Sequence, residues 1–377
     1  MEPRPEPRDL TEGDFTAALD GLTHDAEQEP QELDLHTPAA KGVQHSWLKR
    51  LIPGIENLAV GYHLGNYVAV GRGDQPQKVW ESMPIYVRLG MQVLYHGREQ
   101  ARLLGMSRVE SLLKQQSIKQ GIAYDNSVNA LDHITAFVKT YQIDTSELLK
   151  PNLEDYKTFN KFFYRKLKPE ARPPAHPEDP KVVSSAADCR LTVFESVDAA
   201  KTLWIKGQNF TVPALLQDEE KAKQFENGAV AVFRLAPADY HRYHSPVKAK
   251  VGKTKEIAGT YYTVNPCAVN EDLDVFTCNR RDVSYLSAST GSSAANTAEV
   301  AFIQVGAMLV GSIVRTAKEG QEVERADEFG YFAYGGSTII ALFPPGTVRF
   351  DQDLLRNSEA KLETAVRAGE QIGRFVQ

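Results

Sequence analysis

The chain reads as an α+β protein in which a helical N-terminal half packs on a β-rich C-terminal core. Three observations carry that prediction. Between residues 47 and 141 apolar side chains recur at helical spacing, as in Ile85, Leu89 and Val93 and again in Leu131, Ile134 and Val138. Prolines then cluster at Pro169, Pro173, Pro174, Pro177 and Pro180, which breaks any regular element and marks a boundary. Beyond them come short β-branched and aromatic runs: Leu191-Thr192-Val193-Phe194, Val230-Ala231-Val232-Phe233, Tyr261-Tyr262-Thr263-Val264, Val300-Ala301-Phe302-Ile303 and Thr338-Ile339-Ile340-Ala341-Leu342-Phe343. Such runs favour strands.

Three regions follow. Residues 1–44 hold eleven carboxylates against Arg4, Arg8 and Lys41 and are rich in proline, so they bury too little apolar surface to offset chain ordering and are expected to be a disordered acidic tail. Residues 45–168 form the helical region. Within it, residues 83–104 are amphipathic and carry Arg88, Arg98 and Arg102 with Tyr86 and Tyr95. Such a stretch lies either at a membrane surface or, as most amphipathic helices do, on the protein's own core. Residues 169–377 form the β-rich domain, with 287–297 expected as a flexible surface loop.

Composition excludes several classes. The formal charge is -6, and outside the acidic tail the chain is only slightly basic, so a nucleic-acid partner is not expected. The N-terminus has no basic segment followed by an apolar run and is too acidic for a transit peptide, so neither a signal peptide nor a transit peptide is expected. No apolar run is long enough for a transmembrane helix. The three cysteines, Cys189, Cys267 and Cys278, are odd in number and show no C-x-x-C spacing, which points to reduced, buried thiols in a cytoplasmic compartment.

Four motifs carry possible chemistry, each with an ordinary structural alternative. Gly335-Gly336-Ser337 lies between strand-like runs, and on local pattern it reads as a tight hairpin turn. His241 and His244 lie three apart in Asp239-Tyr240-His241-Arg242-Tyr243-His244. That is half of a metal site or a backbone-bonded pair; with no Cys or third His at ligand spacing, no metal is expected. Asp188 sits in a small-residue turn before a strand. Gly306 to Ser312 has the outline of a phosphate-binding loop, but Gly311 stands at the lysine position. Together, Asp188, His244 and Ser337 supply a carboxylate, an imidazole and a hydroxyl, the parts that activate a serine. Spacing alone does not bring them together.

The ordered set resembles the phosphatidylserine decarboxylase family, in its extra-mitochondrial eukaryotic branch. The resemblance starts near Gln115 and runs through Phe159-Asn160-Lys161-Phe162-Phe163-Tyr164-Arg165-Lys166-Leu167-Lys168-Pro169, the Asp188 turn and the His241 run. It continues at Tyr261-Tyr262-Thr263-Val264-Asn265-Pro266, Val305-Gly306-Ala307-Met308-Leu309-Val310-Gly311-Ser312-Ile313 and Gly335-Gly336-Ser337-Thr338. Cys189 and Gly335 depart from many relatives, which have glycine and leucine there; both forms are usual in that branch.

The resemblance implies a pyruvoyl cofactor made from Ser337. Its hydroxyl attacks the Gly336 carbonyl to give an ester; loss of the serine α-proton then eliminates the β chain of 1–336, and the dehydroalanine left at the head of the α chain of 337–377 hydrolyses to pyruvoyl and ammonia, the two chains staying associated. His244 is implied as the base for Ser337, Asp188 as the group that holds its imidazole in the right tautomer, and His241 as the acid in turnover. The implied reaction converts phosphatidylserine in membranes to phosphatidylethanolamine and CO2, for which the pyruvoyl group is the electron sink. A free aromatic amino acid on the same scaffold is the alternative. Lys206, Arg242 and Arg280 are candidate phosphate donors on charge alone. A diacyl lipid does not leave the bilayer readily, so the protein is expected to be cytoplasmic and peripheral on endomembranes. A homo-oligomer is left open.

Overall fold

The computed structural model describes residues 65–82, 130–203, 210–236, 238–260, 275–291, 296–306, 313–333 and 337–376. Apart from Gly65 and Ser82, these fall in one unit made of Asn66–Glu81 and Ser117–Gln377. The tail expected over 1–44 and the amphipathic stretch at 83–104 lie outside the described residues.

The strands are β1 (Gly65–Val70), β2 (Gln77–Ser82), β3 (Val182–Ser184), β4 (Cys189–Phe194), β5 (Ala229–Leu235), β6 (Arg242–His244), β7 (Ala249–Ile257) and β8 (Arg281–Ser289). After them come β9 (Thr297–Gly306), β10 (Ile313–Arg315), β11 (Glu322–Val323), β12 (Glu328–Phe332), β13 (Ser337–Phe343), β14 (Val348–Phe350), β15 (Glu363–Val366) and β16 (Gln371–Phe375). Ten of them form one sheet in the order β11-β7-β8-β9-β13-β5-β4-β15-β1-β2, and two three-stranded sheets run β10-β12-β6 and β14-β16-β3. The middle of the large sheet is antiparallel, while β1 runs parallel to β15.

The runs at 191–194, 230–233, 300–303 and 338–343 are strands as predicted. β13 is the innermost: all seven residues are buried, between β5 on one side and β9 on the other. A strand covered on both faces reads as continuous apolar sequence rather than alternation. Its Ile339, Ala341 and Phe343 enter a core shared with Tyr243, Phe329 and Phe332 of one small sheet and Phe350, Ile372 and Phe375 of the other. Each such large side chain contributes about 1.5–3 kcal/mol on burial.

Four helices matter here: α1 (Ala130–Tyr141), α2 (Phe159–Phe163), α3 (Val197–Leu203) and α4 (Gln352–Glu359). α3 packs on β4 and β5, and α4 on β4 and β15. Val193 N–H of β4 lies beyond the ladder to β15, and the hydroxyl of Ser358 on α4 accepts it at 2.9 Å. α1 and α2 build a separate aromatic cluster from Ile134, Phe137, Tyr156, Phe159, Phe162 and Phe163.

Several expectations change. Residues 65–82, assigned to the helical half, form β1 and β2 and extend the large sheet, because their apolar periodicity is local and weak. In α1 the buried stripe is Ala130, Ile134 and Phe137, at i, i+4 and i+7, while Leu131 is exposed. Of the loop expected at 287–297, residues 287–289 and 297 belong to β8 and β9, which pair out to Ser289 and Thr297; residues 292–295 lie outside the described residues. Cys189 is buried, but Cys278 is exposed; Cys267 lies outside the described residues.

The hairpin reading of Gly335-Gly336-Ser337 also fails. β12 belongs to a small sheet and β13 to the large one, so the segment between them carries the chain from sheet to sheet. The links β3 to β4, β5 to β6 and β9 to β10 cross between sheets too. The large-sheet strand ends that these four links join lie at one end of the sheet, where Leu235, Ser337 and Gly306 stand side by side in the ladder.

Candidate active site

Ser337 is the first residue of β13, 1% exposed, and its hydroxyl has no hydrogen-bond partner among the described residues. Nearly all buried polar groups in proteins are bonded, so an orphaned hydroxyl at a strand head needs a reason. Its ladder partner Leu235 ends β5, and the link 236–241 leads from there to His241. His241 O in turn accepts the N–H of Phe332, the last residue of β12, from which four residues lead back to Ser337. Two ladder contacts and two short links thus close a ring that keeps Ser337 and His241 at the same sheet end.

His241 is fully buried, and its Nδ1 faces the carbonyl of Asp239 at 2.9 Å. A carbonyl only accepts, so Nδ1 carries the proton and Nε2 holds a lone pair, buried and unbonded. The ring stacks on Phe163 of α2 at 3.9 Å between centroids. Burial, with the charge of nearby Arg165 assisting, pushes its pKa down to about 3, so the imidazole is neutral. Arg165, itself buried, donates to the Ala238 carbonyl at 3.1 Å.

His244 shows the same pattern. Its Nδ1 donates to the Ala326 carbonyl at 2.8 Å, its Nε2 is buried and unbonded, and burial lowers its pKa. In the ladder between β6 and β12, His244 stands opposite Glu328 and Arg242 opposite Tyr331. The His244 N–H donates at 2.8 Å to the carbonyl of Ala186, in the link from β3 to β4 that enters the large sheet at the Ser337 end.

The expected hydrogen-bonded relay is not formed. Asp188 accepts from Arg172 Nε at 2.8 and 3.0 Å, from Arg172 Nη2 at 2.6 Å and from the Ala368 N–H at 2.9 Å. A planar guanidinium fork matches a carboxylate better than a neutral imidazole does, and it takes the carboxylate. Asp188 acts on His244 only through space, its charge opposing the effect of burial. The tautomer that Asp188 was expected to set is set by Ala326.

The candidate phosphate donors separate. Arg242 is buried, donates to Glu328 at 2.8 Å and to the Tyr164 carbonyl at 3.0 Å, and lies over the Tyr331 ring; this argues against a phosphate-binding role. Arg280 stands opposite Gly306, the ladder partner of Ser337, and keeps a side chain 29% exposed, 3.9 Å from Asp282. Lys206 and Gly336 lie outside the described residues, as does the Tyr261-Pro266 motif.

Sequence reasoning missed the supports. Arg172 sits in the proline cluster, and no local pattern announces a carboxylate partner sixteen positions on. Arg190 and Asp239 lie inside recognised motifs, yet their pairing at 2.6 and 2.7 Å is visible only in three dimensions.

The candidate site is thus a buried serine at the head of β13, a buried imidazole on the link from β5 to β6 and a second at the end of β6, in an α+β protein. The family model described as phosphatidylserine decarboxylase matches residues 159–374, and the chain belongs to that family. It is 42% identical over 340 residues to a phosphatidylserine decarboxylase proenzyme 2 of Komagataella phaffii, covering 89% of this chain and 32% of that protein. A proenzyme 2 of Oryza sativa subsp. japonica is 40% identical over 341 residues, covering 88% of this chain and 53% of its own. A phosphatidylserine decarboxylase proenzyme of Ruminiclostridium cellulolyticum is 34% identical over 322 residues, covering 85% and 94%. The chain spans about a third of the yeast relative and about half of the rice one.

Proposed function

We propose that this chain is a self-processing decarboxylase that converts phosphatidylserine to phosphatidylethanolamine and CO2, with a pyruvoyl group formed at Ser337. The observation that carries the reading is the buried, unpartnered hydroxyl of Ser337 at the head of the central strand. It fits a precursor: the serine is held, its oxygen is uncommitted, and it shares the sheet end with His241. The relatives above are named phosphatidylserine decarboxylases, which favours the lipid over a free amino acid.

Ser337 attacks the carbonyl of Gly336, and His244 takes the hydroxyl proton at Nε2. Asp188 supports that base by its charge, while Arg172 and the Ala368 N–H hold the carboxylate still. A pyruvoyl group supplies an electron sink for the pair left when CO2 departs. His241, fully buried against the Phe163 ring, moves a proton at Nε2 during turnover. Arg280 is the donor for substrate phosphate: its side chain is 29% exposed, and its backbone pairs with Gly306, the ladder partner of Ser337. Residues 169–377 form the catalytic domain, and the region before it carries contact with the membrane.

The test is a denaturing gel and intact mass of the purified full chain, alone and as Ser337→Ala. The parent is expected as two fragments, 1–336 and 337–377, and the variant as one. Cleaved parent should release CO2 from phosphatidylserine vesicles and not from free L-serine, L-tyrosine or L-tryptophan. A parent that stays whole sinks the reading.

A further inference from the structure

We propose that Asp239 is a positioning residue for turnover, which holds His241 at a set separation from Ser337, with Arg190 and Glu81 as the strut behind it. This rests on the function proposed above.

Asp239 binds with three parts of itself. Its main-chain carbonyl accepts the Nδ1 proton of His241 at 2.9 Å, which sets the tautomer and the ring plane. Its main-chain N–H donates to the Ala236 carbonyl at 2.9 Å. Its carboxylate accepts the N–H of Ala236 at 2.7 Å. Ala236 follows directly on Leu235, which stands opposite Ser337 in the ladder. One residue therefore ties the Ser337 end of the link 236–241 to the His241 end, and the length of the chain between them cannot vary.

The staple is itself braced. Arg190 Nη1 reaches both carboxylate oxygens of Asp239, at 2.6 and 2.7 Å, and its other edge donates to Glu81 from Nε at 2.8 Å. Glu81 also accepts from Arg234, which is held in turn by Glu363 at 2.5 and 2.8 Å. Arg190 and Arg234 are ladder neighbours on β4 and β5, so the strut is anchored in the large sheet and not in the loop. On the far side of the link, Arg165 takes the Ala238 carbonyl and Phe163 stacks on the ring. A loop needed only to connect two strands does not require a largely buried carboxylate clamped by a guanidinium. A loop that must hold one imidazole in register does, because an error of about 1 Å at a reacting group costs on the order of a hundredfold in rate.

The experiment uses the purified full chain as parent, Asp239→Asn and Asp239→Ala, with turnover on phosphatidylserine vesicles normalised to the cleaved fraction. Asparagine keeps an acceptor for the Ala236 N–H and loses the charge that Arg190 grips. Both variants are expected to self-cleave. Their kcat should fall about tenfold for asparagine and on the order of a hundredfold for alanine, with KM within about threefold of the parent. A kcat within about threefold of the parent in both variants overturns the proposal, as does a KM that rises while kcat stays. Loss of self-cleavage in an Asp239→Asn chain that melts like the parent also overturns it, since Asp239 then acts in processing. If the alanine variant does not fold, the asparagine comparison decides alone. An uncleaved parent instead refutes the proposed function, so the two failures are distinguishable.

Discussion

Arg172 grips the carboxylate of Asp188 at 2.6 and 2.8 Å, and the imidazole of His244 turns to the backbone carbonyl of Ala326 instead. The same guanidinium donates to Glu147 at 2.9 Å, so it also ties the segment between α1 and α2 to the turn that carries Asp188. Removing it should leave a largely buried carboxylate with only the Ala368 N–H. Arg172→Leu is expected to cost about 3 kcal/mol, the usual scale for breaking a buried pair from one side, read as a lower urea midpoint at unchanged slope.

The two imidazoles should separate in function. His244→Gln is expected to leave the chain uncleaved on a denaturing gel. His241→Gln should cleave and then turn over at least about a hundredfold more slowly, because general acid–base contributions are of that size. Identical behaviour of the two variants would refute the division of roles.

Acid should weaken the fold before carboxylates titrate. The folded pKa of His241, about 3, lies below the ordinary value of 6.5, so its contribution to stability is full above 6.5 and is lost as pH falls toward 3. Each unit in that window costs about 1.4 kcal/mol. From pH 7 to 5 the urea-derived stability should fall by about 2 kcal/mol from His241, with His244 acting in the same direction. His241→Gln should flatten that slope.

Gly330 lies where Tyr243 crosses β12. A β-carbon there would meet the Tyr243 hydroxyl and the Val314 carbonyl, each at 2.3 Å, and the latter is backbone. Gly330→Ala is expected to destabilise by about 2–3 kcal/mol in a thermal or urea melt, as overpacking does.

The cut chain should not come apart. Segment 337–377 supplies β13 at the centre of the large sheet, β15 near its edge, and β14 and β16 of a small sheet. Native gel filtration should keep both fragments together, and only denaturant should separate them.

Much of this was legible before any coordinates. The strand runs at 191–194, 230–233, 300–303 and 338–343 are signalled by side chains that suit a pleated, buried surface, a local property. Ser337, His241 and His244 were legible because ordered motifs carry them. What stayed hidden is pairing at a distance: Arg172 with Asp188, Arg190 with Asp239 and Glu81, Phe163 with His241. Such contacts depend on which strands become neighbours, and sequence spacing does not encode that. The strands at 65–82 were missed because short edge strands carry weak periodicity, and they owe their conformation to the sheet they join.

The head of β13 has a mechanical consequence. When a peptide bond breaks, the two new ends recoil unless something restrains them. Here the downstream end begins in a seven-residue strand locked between two neighbours, whereas the upstream end belongs to a connection between sheets. On the proposed cleavage the recoil would therefore fall on the upstream chain, and the Ser337 Cα would stay where β13 holds it.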